Sequence, residues 1–145
     1  MPILTYPALQ GRPIIFCVVK DLLRGNKFHV PMLLDTGADS TCFPDWMADF
    51  FGHNNHHPDV IKDTMKGVGG EVTTYLHSVQ ISLVDPERSD KASPVTAWTS
   101  PFKTAVFVEN LECEFGLLGM DIMKQWASVT FLTVAGKLKV RVVTR

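Results

Sequence analysis

Along this chain, apolar residues recur mostly with a period of two or in short runs, and few segments hold them at helical spacing. After Pro13, Ile14-Ile15-Phe16-Cys17-Val18-Val19 is an apolar, β-branched run that predicts a largely buried strand. Arg24-Gly25-Asn26-Lys27 has turn chemistry and Phe28–Leu34 resumes the strand pattern, so the two runs predict a hairpin. Residues 3–9, with Pro2 and Pro7, predict an irregular or edge strand. Val60–Met65 and Val72–Leu76 predict the arms of a second hairpin around the glycine-rich tip Gly67-Val68-Gly69-Gly70. Val79, Ile81 and Leu83 alternate with Gln80 and Ser82, the pattern of a half-buried strand, and residues 86–94 predict a loop. Further strands are expected at Val95–Trp98, Phe102–Val108 and the apolar run around Leu117-Leu118. Val129–Val134 and Lys137–Val143 close the chain around Ala135-Gly136. Helical spacing occurs at Trp46, Met47, Phe50 and Phe51, with Asp45 as an expected N-cap, and again over Asp121–Trp126. About nine short strands, a pair of short helices and no β-α-β rhythm predict an all-β barrel or sandwich-like domain.

Composition narrows this picture. At 145 residues the chain suits one domain spanning 1–145, large enough to bury a core without metal or disulfide staples. Its net charge of −1 leaves no basic field for nucleic acid or anionic lipid, so neither is expected as a partner. No apolar run is long enough for a transmembrane helix, and residues 1–20 lack the pattern of a secretory signal. Cys17, Cys42 and Cys113 form an odd, sparse set without CxxC spacing. They are expected as free thiols in a reducing compartment, with the cytoplasm as the default location.

The chemistry concentrates in residues 33–44. Leu33-Leu34 run into Asp35, Thr36 and Gly37, and the chain turns polar immediately afterwards. This reads as a buried strand ending in a tight turn that holds a carboxylate where little water reaches it, a costly arrangement that marks a functional site. Two other candidates carry less. The glycine-rich tip lacks the GxGxxG spacing and a Walker lysine, so it does not predict a phosphate cradle. His53, His56 and His57 invite a zinc reading, yet no fourth ligand follows at a familiar spacing, and a solvated loop is expected.

With those residues in view, the chain resembles the retroviral-type aspartic proteases, or retropepsins, and their stand-alone cellular and bacterial relatives. The resemblance rests on Leu33-Leu34-Asp35-Thr36-Gly37-Ala38-Asp39-Ser40-Thr41, the glycine-rich hairpin, and Leu117-Leu118-Gly119 before a short helix, all in order over residues 13–143. A bare Asp-Thr/Ser-Gly triplet turns up by chance in about one chain in fifteen of this length, so the order of the parts carries the weight. The resemblance implies a closed barrel with a glycine-rich flap and one or two short helices, active as a symmetric homodimer. It makes Asp35, Thr36 and Gly37 the catalytic turn. Ala38 and Asp39 would line the substrate groove, and Val68, Gly69 and Gly70 would form the flap tip that closes on an extended peptide. The chain holds a single Asp-Thr-Gly, so a two-acid site needs Asp35 from each of two copies on a twofold axis. Two carboxylates so close share one proton, as the dyad of pepsin does, and activate a water without cofactor or metal.

There is one departure from the pattern. Many viral members carry an arginine after the second glycine that pairs with the acid matching Asp39, whereas this chain has Met120 followed by Asp121. The brace is expected to be absent or supplied from elsewhere, from Lys124 or from the partner subunit. The leading expectation is therefore a homodimeric, pepstatin-sensitive aspartic endopeptidase that cuts extended, largely hydrophobic segments. The alternatives are a retropepsin-like peptide-binding or dimerisation domain with little proteolysis and, behind it, a zinc hydrolase using His53, His56 and His57.

Overall fold

Antiparallel ladders dominate the computed structural model, which describes residues 2–67, 70–90 and 93–145. Its elements in chain order are β1 Ile3–Pro7, β2 Ile14–Asp21, β3 Lys27–Leu34, β4 Cys42–Pro44, α1 Trp46–Phe50, β5 Ile61–Gly67 and β6 Gly70–Val84. Then follow β7 Thr96–Thr99, β8 Lys103–Val108, β9 Gly116–Leu118, α2 Met120–Met123, β10 Ser128–Val134 and β11 Lys137–Val143. No helix among the described residues is long and apolar enough to cross a membrane.

Six strands close a barrel in the order β2-β3-β9-β4-β8-β6, with β6 pairing back to β2. The buried run at the start of the chain explains the closure. β2 is buried on most of both faces and has neighbours on both sides, with Cys17 opposite Val30 of β3 and Leu83 of β6. Two separate strands were expected at 72–76 and 79–83, but β6 runs unbroken through both. The cause is tertiary: β8 pairs with residues Thr74 to Val79 continuously, so the ladder bridges the polar His77-Ser78 step that looked like an interruption.

Inside the barrel, parallel pairing sets Phe43 of β4 beside Phe107 of β8, and their rings stack with centroids 5.0 Å apart. Phe51, just past α1, meets both edge-on at 5.6 and 5.9 Å, so the short helix is held by its aromatic rather than by its own length. Asp45 does not cap α1 as expected. Its backbone is already helical (φ −61°, ψ −30°), and its N–H donates to Val108 O, so pairing with the barrel rather than a side-chain cap starts the helix.

A second sheet, β1-β11-β10, packs on the barrel. Leu4, Tyr6, Val140 and Val142 form its buried face, and the Tyr6 hydroxyl donates to Val84 O at 2.7 Å. β10 is the open edge, with Phe131 41% and Val134 52% exposed.

The loop after α1 is only partly the solvated segment that was expected. His56 and His57 are exposed, but His53 is buried, its ring centroid 4.4 Å from that of His77 and its Nε2 3.9 Å from Asp21 Oδ1. Gly52, in the left-handed region at φ +82°, turns the chain back so that His53 N donates to Ala48 O and the side chain faces inward.

Candidate active site

β3 carries Leu33 and Leu34 alongside Leu117 and Leu118 of β9 in parallel register, and the pairing continues as Asp35 N donates to Leu118 O at 3.0 Å. The chain then turns sharply. Ala38 N donates to Asp35 O at 3.1 Å, and Gly37 N donates to the carboxylate Oδ1 of Asp35 at 2.9 Å. A Cβ on residue 37 would lie 3.3 Å from that same oxygen, so glycine is what permits this close donation. One carboxylate oxygen is thus fixed from below. The other makes no hydrogen bond among the described residues, and neither does the Thr36 hydroxyl.

The shielding expected from the sequence is incomplete in a single chain. Asp35 is half-buried, and Thr36 and Gly37 are exposed, because β3 and β9 cover only one side of the turn. Ala38 is half-buried beside Asp35, and Asp39 is exposed with its carboxylate unpaired among the described residues.

The far side of the turn is latched to the β9–α2 corner. Met120 N donates to Ala38 O at 2.7 Å, and Asp121 N donates to Asp39 O at 3.1 Å. Gly119 lies so close beneath that a Cβ there would sit 2.6 Å from Ser40 C and 2.9 Å from Ala38 O, both backbone atoms. Thr41 is fully buried. Its Oγ1 donates to Asp121 Oδ1 at 2.8 Å and accepts from Gly119 N at 3.1 Å, while its N–H donates to Asp121 Oδ2 at 3.0 Å. Lys103, at the start of β8, places its ammonium on Asp121 Oδ2. Burial alone would raise the Asp121 carboxyl, but the hydrogen bonds from Lys103 and from Thr41 outweigh it and hold the group below the usual carboxylate range.

Within the chain Lys124 does not brace Asp39; the cation at this corner is Lys103, and the acid that receives it is Asp121. Asp121 was legible as an acidic helix start, and it does accept from Ile122 N at 2.9 Å. Lys103 carried no sequence signal, because only the register of β8 against β4 and the fold of α2 bring it there.

The second expected part is the hairpin of β5 and β6, paired from Ile61 with Leu76 to Gly67 with Gly70. Its β5 arm is almost entirely exposed. Val68 and Gly69, two of the expected tip residues, lie outside the described residues. Gly70 sits at φ +106°, which a glycine adopts without strain, and no hydrogen bond joins it to the Asp35 turn. The zinc constellation does not assemble: His53 is buried against His77 while His56 and His57 face solvent, and among the described residues no group of three or more His, Cys, Asp or Glu is placed to hold a metal.

A closed six-strand barrel that presents an Asp-Thr-Gly turn beside a Leu-Leu-Gly corner is the fold of the retropepsin-like aspartic proteases. Among solved structures, a retropepsin-like aspartic protease from Rickettsia conorii matches with a TM-score of 0.62 at 13% identity, covering 96% of this chain and 98% of that one. EIAV protease, determined in complex with an inhibitor, matches with a TM-score of 0.51 at 20% identity, covering 82% of this chain and 91% of that one. At such identities the likeness fixes the fold and leaves the chemistry to this chain's own residues. No protein-family model and no curated protein matches the sequence.

Proposed function

We propose that residues 1–145 form a single domain, one half of a homodimeric aspartic endopeptidase. The observation that carries this reading is the Asp35-Thr36-Gly37 turn. It is braced from behind, open on its front face, and holds a carboxylate oxygen and a hydroxyl without partners among the described residues. A second copy facing it across a twofold axis would complete both: Asp35 against Asp35, and Thr36 with an acceptor on the opposite turn. The open β10 edge, with Phe131 and Val134 exposed, supports assembly through the terminal sheets.

In that dimer the two carboxylates hold one proton between them, since like charges at contact cannot both ionise. The ionised member takes a proton from a water lying between them, and the water oxygen attacks the peptide carbonyl. The protonated member donates to the oxygen on which charge develops, and the nitrogen leaves after accepting a proton from the dyad. The substrate lies extended along Ala38 and Asp39, and the β5–β6 hairpin with Val68, Gly69 and Gly70 closes over it as a flap. The buried thiols Cys17 and Cys42, with no disulfide between them, suit a cytoplasmic setting.

The test compares the parent and Asp35→Asn against a diverse peptide library at acidic to neutral pH, with sizing of both proteins. The parent should cleave extended apolar segments, lose activity to pepstatin-type peptides and on dilution, and ignore EDTA. Asp35→Asn should remain folded and dimeric yet fall by at least about a thousandfold in turnover. Equal cleavage by the variant refutes the assignment, and a parent that binds peptides without cutting any leaves a peptide-binding domain.

A further inference from the structure

Away from the Asp35 turn, a cavity of about 570 Å³ opens between the turn joining β2 to β3, the loop after α1 and the middle of β6. That volume is in the range of sites for small organic ligands. None of its lining residues belongs to the catalytic turn, β9 or α2. We propose that this cavity is a binding site for a small amphipathic carboxylate, with an apolar body against its leucines and the carboxylate on Arg24.

Three observations converge on that chemistry. Part of the wall is apolar, formed by Leu22, Leu23, Val60 and Leu76 beside polar residues that include Asn54, His77 and Ser78, and Leu22 and Leu23 are 51% and 73% exposed. Two adjacent leucines at a turn tip expose surface that water disfavours and that an alkyl body would cover. The cation is exposed and unpaired among the described residues. The Arg24 guanidinium lies against Gly52, where a Cβ would meet Nη1 at 3.3 Å, and it makes no hydrogen bond or ion pair among the described residues. Asp21, the nearest buried acid, cannot serve it. Its two oxygens accept from the backbone N–H groups of Arg24 and Asn26 at 2.6 and 2.9 Å, which sets the turn and leaves the side chain of Arg24 free.

The remaining charges do not change the choice. His53 lines the cavity with its proton affinity lowered by burial, raised in part by Asp21 and lowered again by Arg24, so it adds a largely neutral surface. Asp59 opposes an anion, but its side chain is 92% exposed, so water screens it. A planar carboxylate matches the guanidinium fork with two parallel hydrogen bonds, and an ammonium ligand would face repulsion. Such a carboxylate comes from two sources, a fatty acid or the C-terminus of an apolar peptide.

The experiment titrates the full chain with octanoate and with acetyl-Leu-Leu, and with octanol and octylamine as controls, by calorimetry and methyl NMR. One of the carboxylates should saturate a single site and shift the methyls of Leu22, Leu23, Val60 and Leu76. The tighter of the two identifies the source. Arg24→Gln, at an exposed position, should weaken the carboxylate by about tenfold or more and leave octanol unchanged. Leu23→Ser should weaken both. The proposal is overturned if neither carboxylate saturates by about 1 mM, if octylamine binds as tightly, or if Arg24→Gln binds like the parent.

Discussion

Thr41→Val keeps the shape of a fully buried side chain and removes one oxygen. That oxygen makes two bonds in the parent, donating to Asp121 Oδ1 at 2.8 Å and accepting from Gly119 N at 3.1 Å. A hydrogen bond to a charged acceptor contributes about 1.5–3 kcal/mol, and a buried N–H left without a partner costs about 1–3 kcal/mol. The two losses share one atom and do not add in full, so the expected destabilisation is about 3 kcal/mol, or a fall in Tm of about 6–12 °C for a chain of this size. Urea melts at one protein concentration, followed by tryptophan fluorescence, measure it; fixing the concentration matters if the native state dimerises. The pH dependence sharpens the test. Asp121 has a depressed folded pKa, so its stabilisation is present above the unfolded value of about 3.9 and is lost as pH falls through the folded value. The variant lacks one of the bonds that depress it, so the gap between parent and variant should be full near neutral pH and shrink below about pH 4. A penalty under about 1 kcal/mol, or a gap that stays constant from pH 7 to 3, would refute the latch as the support of the Asp35 turn.

Other perturbations probe neighbouring parts. Lys103→Met strips the cation from Asp121 while both side chains are about one-fifth exposed (20% and 19%), so urea melts should give a loss of about 1–3 kcal/mol, less than for a fully buried pair. Gly119→Ala drives a Cβ to 2.6 Å from Ser40 C, a backbone atom that no rotamer can move, and should cost more than about 2 kcal/mol in the same melts. His77 is lowered to about 4 by burial and by the His53 ring beside it. Between about pH 6.5 and that value the unfolded chain binds a proton that the folded chain refuses, so stability should fall as pH drops through the window, and His77→Gln should flatten that part of the profile.

Much of this architecture was legible from local pattern. The β-branched run at 14–19 and the turn chemistry at 24–27 suffice for the first hairpin, because both act within a few residues. Leu33-Leu34 before Asp35 marked a strand running into a turn, and Leu117-Leu118-Gly119 marked the corner beneath it. Where expectation failed, a distant partner had overruled a local rule. β6 continues through His77-Ser78 because β8 pairs along it, and Asp45 makes no side-chain cap because its backbone is already helical where it joins Val108. His53 looked like one of three loop histidines, yet the turn at Gly52 sends it inward to Asp21 and His77.

By itself, then, the sequence determined most of the strands, where the chain turns, and that the chain holds a single Asp-Thr-Gly. Periodicity and turn preference carry that information, and both are short-range. Tertiary structure alone decided what stands behind the turn: Thr41 and Lys103, from separate segments, converging on the carboxylate of Asp121. No spacing rule reaches across such separations. A charge as largely withdrawn from water as that of Asp121 is favoured only once the closed barrel has brought its hydrogen-bond donors to it.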